Sequence, residues 1–173
     1  MNTSEIAEYY AAERPELLSF LRPHGPFGAA LDVGCAAGML GAGLLREGTV
    51  GACDGIELNY AAARLAETRL RQVWMGSLES VAEEVPWEHY DLVILADVLE
   101  HLSRPEQVLA ACRQLLQPEG RLLISVPNAG YTGLIAELLD GEFLYREEGL
   151  LDRTHLRFFT RRSLARFLGE QRW

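Results

Sequence analysis

Residues 29–45 read AALDVGCAAGMLGAGLL, and they combine a short strand, a tight turn and the start of a helix. Residues 30–33 are apolar apart from Asp32, a pattern typical of a buried parallel strand. Residues 34–38 are all small, and leucines recur at helical spacing from Met39 onward. Small residues let the backbone fold tightly and let a ligand approach its N–H groups, while the helix N-terminus adds unpaired donors. The stretch therefore predicts a ligand-binding turn between a strand and a helix.

The spacing of the glycines distinguishes this turn from the dinucleotide-binding fingerprint G-x-G-x-x-G. Gly34 and Gly38 are separated by three residues, Ala36 stands where the middle glycine would be, and an acid lies inside the strand. A nicotinamide-dependent oxidoreductase is therefore a disfavoured alternative. An ordinary glycine turn in some other Rossmann-like domain remains open for this stretch taken alone.

The remaining apolar segments alternate between strand and helix patterns, which predicts an α/β fold with a Rossmann-like, doubly wound, mostly parallel sheet and helices on both faces. The predicted strands are 30–33, 49–58, 72–75, 90–96 and 121–126, and the predicted helices include 60–71, 77–84 and 105–116. In such sheets ligands bind outside the carboxyl ends of the strands, where the strand order reverses. Small or polar residues follow the five strands, namely 34–38, Glu57, Gly76 with Ser77, 97–101 and Asn128. We therefore expect five loops to converge on one binding edge.

The composition limits the compartment and the partners of the chain. A length of 173 residues suits one domain with a substantial core, and a formal net charge of −9 disfavours nucleic acid as a partner. No apolar run is long enough for a membrane span, and the acidic N-terminus does not resemble a secretory signal. The three cysteines are odd in number and scattered, so we predict reduced thiols, a cytoplasmic location and no metal site.

Arginine is concentrated near the end of the sequence, where residues 153–173 contain six arginines against one acid, Glu170. A solvated helix face is the simpler interpretation of this run. The alternative is a patch that holds a phosphate group on the substrate.

Five stretches together resemble one subgroup of the class I S-adenosylmethionine (SAM)-dependent methyltransferases: LDVGCAAG, GIELN, YDLVILADVLEHL, LLQPEGRLLISVPN and LLDRTHLRFFTRRSLARFL. The resemblance runs from about Tyr9 to Leu168, nearly the whole chain. It implies that a methyl group moves from SAM to a small-molecule acceptor, with S-adenosylhomocysteine (SAH) as product. A sugar or another glycan-pathway intermediate as that acceptor rests on the resemblance alone. A non-catalytic SAM-binding or scaffold protein is the second interpretation.

Glu57 is the predicted ribose ligand, because it ends the second strand and an acid there can accept hydrogen bonds from both ribose hydroxyls. Asp54 is the alternative, although Gly55 follows it, whereas a predicted helix begins shortly after Glu57.

The resemblance assigns the methionine part of SAM to Asp32 and the glycine turn, and the adenine to residues such as Ser77 and Leu78. Asp97 lies where a charge could meet the ammonium group of SAM. The whole predicted cofactor set is Asp32, Gly34, Cys35, Ala36, Gly38, Met39, Glu57, Leu58, Gly76, Ser77, Leu78, Ala96, Asp97 and Val98. The chain departs from the family at two of these positions, since Ser77 stands where many members have aspartate and Ala36 replaces the usual glycine.

The implied chemistry is an in-line displacement at the methyl carbon of SAM, in which the protein mainly aligns the two reactants. A hydroxyl acceptor would also need a base. His101 follows the fourth strand and His155 lies in the predicted lid, so these two are the catalytic candidates. A hydrogen-bonded structural role is the alternative for such a histidine.

The whole chain, 1–173, is predicted to be a single methyltransferase domain. Its parts are a helical preface over 1–28, a SAM-binding core over 29–128, an acceptor-facing lid over 129–159 and a last helix over 160–173. A segment that merely completes the fold is the alternative to a lid. The family normally continues with two further strands beside the fifth, so we expect these C-terminal strands to be missing and the fifth strand to have an open edge. A homodimer through that edge or through the lid is the expected assembly.

Overall fold

The structure is a computed structural model that describes residues 13–173. The helices are α1 (Pro15–Leu21), α2 (Met39–Arg46), α3 (Tyr60–Ala66), α4 (Leu78–Val81), α5 (Pro105–Leu115), α6 (Thr132–Leu139) and α7 (Arg161–Glu170). The strands are β1 (Phe27–Val33), β2 (Val50–Glu57), β3 (Val73–Met75), β4 (Tyr90–Ala96) and β5 (Leu116–Ser125). Short 3₁₀ turns cover Arg22–His24 and Leu99–His101.

The five strands form one sheet in the order β3-β2-β1-β4-β5. The pairs β1–β2, β1–β4 and β2–β3 are parallel, and Asp32 is in register with Gly55 on one side and Ile94 on the other. The strand order reverses between β1 and β4, so the glycine turn after β1 lies at the topological switch point. The predicted α/β class with a parallel sheet is confirmed.

Backbone contacts group the described residues into two compact units. The first unit comprises the described residues up to Ala96 together with Ala110–Leu123. The second comprises Asp97–Leu109 and Ile124–Trp173. The predicted single-domain layout, with its core, lid and last helix, stays a prediction.

The first unit has an apolar core that joins its helices to the sheet. Leucines of α1 and α2 pack with small and branched side chains of β1, β2 and α3, and their apolar stripes follow the helical period. The buried cluster includes Leu17, Leu18, Leu21, Ala30, Leu40, Leu44, Cys53, Ala63, Ala66, Leu92 and Ile94. This packing holds β1 and β2 side by side and so fixes the loops that follow them.

Two of the predicted elements have different bounds in the structure. The helix predicted over 60–71 ends at Ala66, because the chain is already bound to β2 at Arg71, whose backbone N–H donates to Cys53 O. Strand β5 begins at Leu116 rather than at 121. Residue Glu119, which we expected in a turn before the strand, lies within β5 and has a left-handed backbone with φ of 68°. Residues 1–12 of the predicted helical preface lie outside the described residues.

None of the helices within residues 13–173 is both long enough and apolar enough to cross a membrane.

Tyr90 belongs to a buried polar network that stabilises the first unit. Its hydroxyl donates to Asp54 at 2.9 Å, and Arg71 donates to the same carboxylate through Nε and Nη2 at 2.9 and 2.6 Å. We expect Tyr90→Phe to lower the free energy of unfolding by about 2 kcal/mol, because a hydrogen bond to a buried charged group is lost. Urea unfolding measures the difference.

The matched control for this prediction is Tyr60→Phe, since the Tyr60 side chain is 68% exposed. We expect its unfolding free energy to stay within about 0.5 kcal/mol of the natural chain. Equal losses for the two variants would contradict a stabilising role of the Tyr90 hydroxyl.

Candidate active site

The turn after β1 is held in a conformation that only small residues adopt easily. Gly34 and Gly38 have φ of 76° and 77°, and Ala36 between them has φ of 49°. The N–H groups of Gly34 and Cys35 donate to Ile56 O at 2.8 and 3.0 Å, which ties the turn to β2. A Cβ atom at Gly38 would lie 3.2 Å from Ala66, so the start of α2 approaches α3 closely at this point.

The carboxylate of Glu57 lies directly against this turn. Oε2 accepts the backbone N–H of Ala36 at 2.8 Å, and Oε1 accepts the backbone N–H of Asn59 at 2.7 Å. The residue is buried, and its carbonyl oxygen accepts the N–H of Gly76 at 2.9 Å. One acid therefore connects the loops that follow β1, β2 and β3.

Asp54, the alternative ribose ligand, is engaged elsewhere. Its carboxylate is buried and accepts hydrogen bonds from Arg71 and Tyr90. Asp54 is therefore a structural acid of the network described above, and of the two acids only Glu57 contacts the glycine turn.

Asp32 places a second buried acid inside β1, before the turn. Burial and, to a lesser extent, the negative charge of Glu57 together raise the pKa of its carboxyl to about 7. The two acids therefore create a negative potential beside the turn, which suits a ligand that carries positive charge.

The loop after β3 contains the residues predicted to flank adenine. Ser77 caps α4 by accepting the N–H of Ser80 at 3.2 Å, and its carbonyl oxygen accepts the Ser80 hydroxyl at 2.8 Å. Gly76 has φ of 152°, and Leu78 is buried. Of the other predicted contacts in this unit, Cys35 is buried, Met39 and Ala96 are half-buried and Leu58 is exposed.

Asp97 and Val98 follow the end of β4 and belong to the second unit. Asp97 is half-buried and left-handed, with φ of 53°. Its backbone N–H donates to Ser125 O at 3.0 Å, and its Oδ1 accepts the Ser125 hydroxyl at 2.8 Å. These bonds fix the direction in which the chain leaves β4.

The second unit brings the two predicted catalytic histidines together. The rings of His101 and His155 are nearly perpendicular, with centroids 4.7 Å apart. His101 is exposed, whereas His155 is buried. The ring of His101 is partly covered, and this loss of solvent lowers its pKa, as does the neighbouring His155, so the ring is neutral at physiological pH.

Asp152 and Thr154 were missed as site residues by sequence reasoning, although they flank the predicted lid residue Arg153. Thr154 Oγ1 lies 3.0 Å from Nδ1 of His101 and donates to Asp152 Oδ1 at 2.5 Å. The backbone N–H of Thr154 donates to the same oxygen at 2.7 Å, as in an Asx turn. The Asp-x-Thr spacing was the available signal for this local turn.

Glu100, His101 and His155 form a group that could hold a metal ion. One ligand atom from each of the three lies within 4.8 Å of the others, and Glu100 is buried. Imidazole and carboxylate together suit transition metals such as zinc or iron. The prediction of no metal site was based on cysteine spacing, and it stays a prediction.

The predicted lid contains aromatic side chains that contact one another within the second unit. Phe143 makes edge contacts with Tyr145 and Phe158, with ring centroids 5.5 and 5.8 Å apart. Two arginines of the basic run are committed to partners: Arg153 to Glu147, and Arg157 to the carbonyl oxygens of residues 102 and 103. These two guanidinium groups therefore act within the protein, which favours a structural role over phosphate binding for this part of the run.

Comparison with known proteins identifies the family. The sequence profile of the family described as "Methyltransferase domain" matches residues 4–171. A ubiquinone biosynthesis O-methyltransferase of Salmonella paratyphi A is 29% identical over 131 residues, which cover 72% of this chain and 53% of that protein. The chain thus spans about half the length of this curated relative.

Solved structures agree on the fold. A SAM-dependent methyltransferase from Archaeoglobus fulgidus superimposes with a TM-score of 0.70 at 20% identity, covering 99% of this chain and 74% of that one. The plantazolicin methyltransferase BamL, solved with SAH, gives a TM-score of 0.72 at 16% identity, covering 97% of this chain and 66% of that one. With the family match over residues 4–171, these findings lead to one conclusion: the chain belongs to the class I SAM-dependent methyltransferases, a family that uses SAM and yields SAH.

Proposed function

We propose that this chain transfers the methyl group of SAM to a hydroxyl oxygen of a small molecule. The observation that carries the proposal is the pair His101 and His155, in which an exposed neutral imidazole contacts a buried one. SAM supplies an already activated methyl group when bound. A hydroxyl acceptor, unlike an amine with a free lone pair, becomes a good nucleophile only when a base takes its proton, which is a role for a neutral imidazole.

The donor site of the proposal consists of the glycine turn, Asp32 and Glu57. The left-handed backbone of Gly34 and Gly38 folds the turn tightly, and small residues there let a ligand approach the backbone. The carboxylate of Glu57 is the acceptor proposed for the ribose hydroxyls. The charges of Asp32 and Glu57 suit a ligand with a sulfonium and an ammonium group.

The proposed acceptor carries a ring, which we infer from the aromatic side chains of the second unit. Phe143, Tyr145 and Phe158 are 42%, 46% and 36% exposed, although together they form an apolar cluster. An exposed aromatic cluster can stack on a phenol or on the apolar face of a sugar. The curated relative's name supports an oxygen acceptor. The resemblance suggests a sugar, so sugars are the second class of acceptor to be tested.

Thermal shift with SAM, SAH and NAD tests the donor, and transfer of isotopically labelled methyl from SAM tests the acceptor. We expect stabilisation by SAM and SAH, no shift with NAD, and methyl incorporation into catechol-type phenols or into free sugars. Stabilisation by NAD alone would contradict the donor assignment. SAM binding with no transfer to either class of acceptor would favour the non-catalytic SAM-binding protein over an enzyme.

We propose further that the open edge of β5 pairs two copies of the chain. Among the described residues only β4 neighbours β5. A mainly apolar cavity that includes residues of β5 is lined by Phe20, Leu21, His24, Phe27, Leu92, Arg121, Leu122 and Leu123. An uncovered strand with adjacent apolar surface is a template for pairing. Light scattering over a range of protein concentrations should give the mass of two chains, and the mass of one chain throughout would contradict the proposal.

A further inference from the structure

We propose that Thr154 and Asp152 are positioning residues that hold His101 in one tautomer, with the proton on Nδ1 and the lone pair on Nε2. The inference rests on the proposed hydroxyl methylation for its catalytic consequence, but the tautomer itself can be measured without turnover. It concerns three side chains of the second unit that are linked in a chain of hydrogen bonds.

The first step is the direction of the hydrogen bond between Thr154 and His101. The Thr154 hydroxyl has one hydrogen, and Oγ1 lies 2.5 Å from Asp152 Oδ1. The same Oδ1 accepts the backbone N–H of Thr154 at 2.7 Å, so this oxygen acts as an acceptor. The hydroxyl therefore gives its hydrogen to Asp152, and its oxygen can only accept the hydrogen of His101 Nδ1.

The second step is the fixed position of Asp152. Its Oδ1 also accepts the backbone N–H of Thr154 at 2.7 Å, and its carbonyl oxygen accepts the N–H of His155 at 3.0 Å. Its own backbone N–H donates to Gly149 O at 3.1 Å, and the residue is 8% exposed. A buried acceptor with this many backbone bonds cannot turn away to release the Thr154 hydroxyl.

The third step concerns His155, whose tautomer is fixed by a different hydrogen bond. Its Nδ1 lies 3.0 Å from the backbone carbonyl oxygen of Leu150, and a carbonyl can only accept. His155 therefore also carries its proton on Nδ1. Because this partner is backbone, substitution of Thr154 leaves it in place, and His155 becomes an internal reference for any measurement on His101.

The consequence is that His101 presents an unprotonated Nε2. This is the nitrogen that can take a proton from an acceptor hydroxyl, or ligate a cation, once Nδ1 is occupied by its hydrogen bond. In the opposite tautomer Nε2 would carry a hydrogen and could do neither. In this hydrogen-bonded series, the acid Asp152 orients the imidazole of His101 through the intervening hydroxyl of Thr154, much as the acid of a catalytic triad orients its histidine directly.

The test compares the natural chain with Thr154→Val, which keeps the shape but removes the hydroxyl, and with Thr154→Ser, which keeps the hydroxyl. Long-range proton–nitrogen NMR on the histidine rings, in EDTA at about pH 8, above the ordinary histidine pKa, reports the tautomer. We expect the Nδ1–H tautomer for His101 in the natural chain and in Thr154→Ser, and a population of the Nε2–H tautomer in Thr154→Val. His155 should be unchanged in all three. Thr68→Val is the control, because Thr68 is an exposed threonine whose hydroxyl donates to Leu65 O.

With an acceptor in hand, kcat of Thr154→Val should fall about 10–100-fold, as when an outer partner of a functional histidine is lost, while KM for SAM stays within about twofold. An unchanged His101 tautomer in Thr154→Val would overturn the inference. A changed tautomer with undiminished kcat would overturn the positioning role and leave methyl transfer intact. If the natural chain methylated no acceptor, the proposed function would fail, whereas the NMR measurement would still decide the tautomer.

Discussion

Replacing Glu57 with glutamine is expected to weaken SAM binding about 100- to 1000-fold. The carboxylate is the proposed acceptor for two ribose hydroxyls, and hydrogen bonds to a charged group are worth about 1.5–3 kcal/mol each, with about 1.4 kcal/mol per tenfold in Kd. The same carboxylate also accepts the N–H groups of Ala36 and Asn59, so the glycine turn depends on it before any ligand binds. An amide of the same size has one acceptor and one donor, and its donor side would face a backbone N–H.

Isothermal titration with SAM measures this effect, and Glu83→Gln is the matched control because Glu83 is an exposed acid outside the turn. Circular dichroism and an unfolding curve should show that Glu57→Gln still folds, so that weak binding is not the result of lost structure. SAM affinity within about threefold of the natural chain, a difference below 1 kcal/mol, would contradict the assignment of Glu57 as the ribose ligand.

The elements that sequence reasoning identified are those with strong local signals. The strand, turn and helix of residues 29–45 follow from apolar runs, small residues and helical spacing, and the structure has β1, a left-handed glycine turn and α2 in those places. The last helix was predicted over 160–173, and in the structure the Thr160 hydroxyl accepts the N–H of Ser163 at the start of α7. Each of these features depends on residues close together in sequence.

What the sequence could not reveal depends on contacts between distant residues. The end of α3 is set by the bond from the backbone N–H of Arg71 to Cys53 O on β2, and no local pattern contains that pairing. The link from Glu57 to the Ala36 N–H and the link from Thr154 to His101 join residues far apart in the chain. A histidine's tautomer is decided by such a partner, so it becomes visible only when the fold has brought the two together.

Asp32→Asn is expected to stabilise the ligand-free chain above pH 7 by up to about 4 kcal/mol. In the folded chain burial and the charge of Glu57 together raise the carboxyl pKa from 3.8 to about 7. The folded state therefore binds a proton more tightly than the unfolded state does, so this contribution to stability is fully present below about pH 4 and is lost as the pH rises through 7. Asparagine has the same shape and no charge, and thus has no such loss.

Urea unfolding of both chains between about pH 4 and pH 8 measures the effect as the difference between their unfolding free energies, since the other titrating groups contribute equally to both. We expect a difference near zero at the acid end that grows in favour of Asp32→Asn as the pH rises. The control is Asp140→Asn, because Asp140 is exposed, and its difference should not change with pH. SAM should bind Asp32→Asn more weakly, because the buried charge that destabilises the ligand-free chain attracts a cationic ligand. Binding of SAM would then offset the loss of stability that the Asp32 charge causes in the ligand-free chain. A pH-independent difference, or a variant that is both less stable and better at binding SAM, would show that the buried carboxylate does not serve the donor in this way.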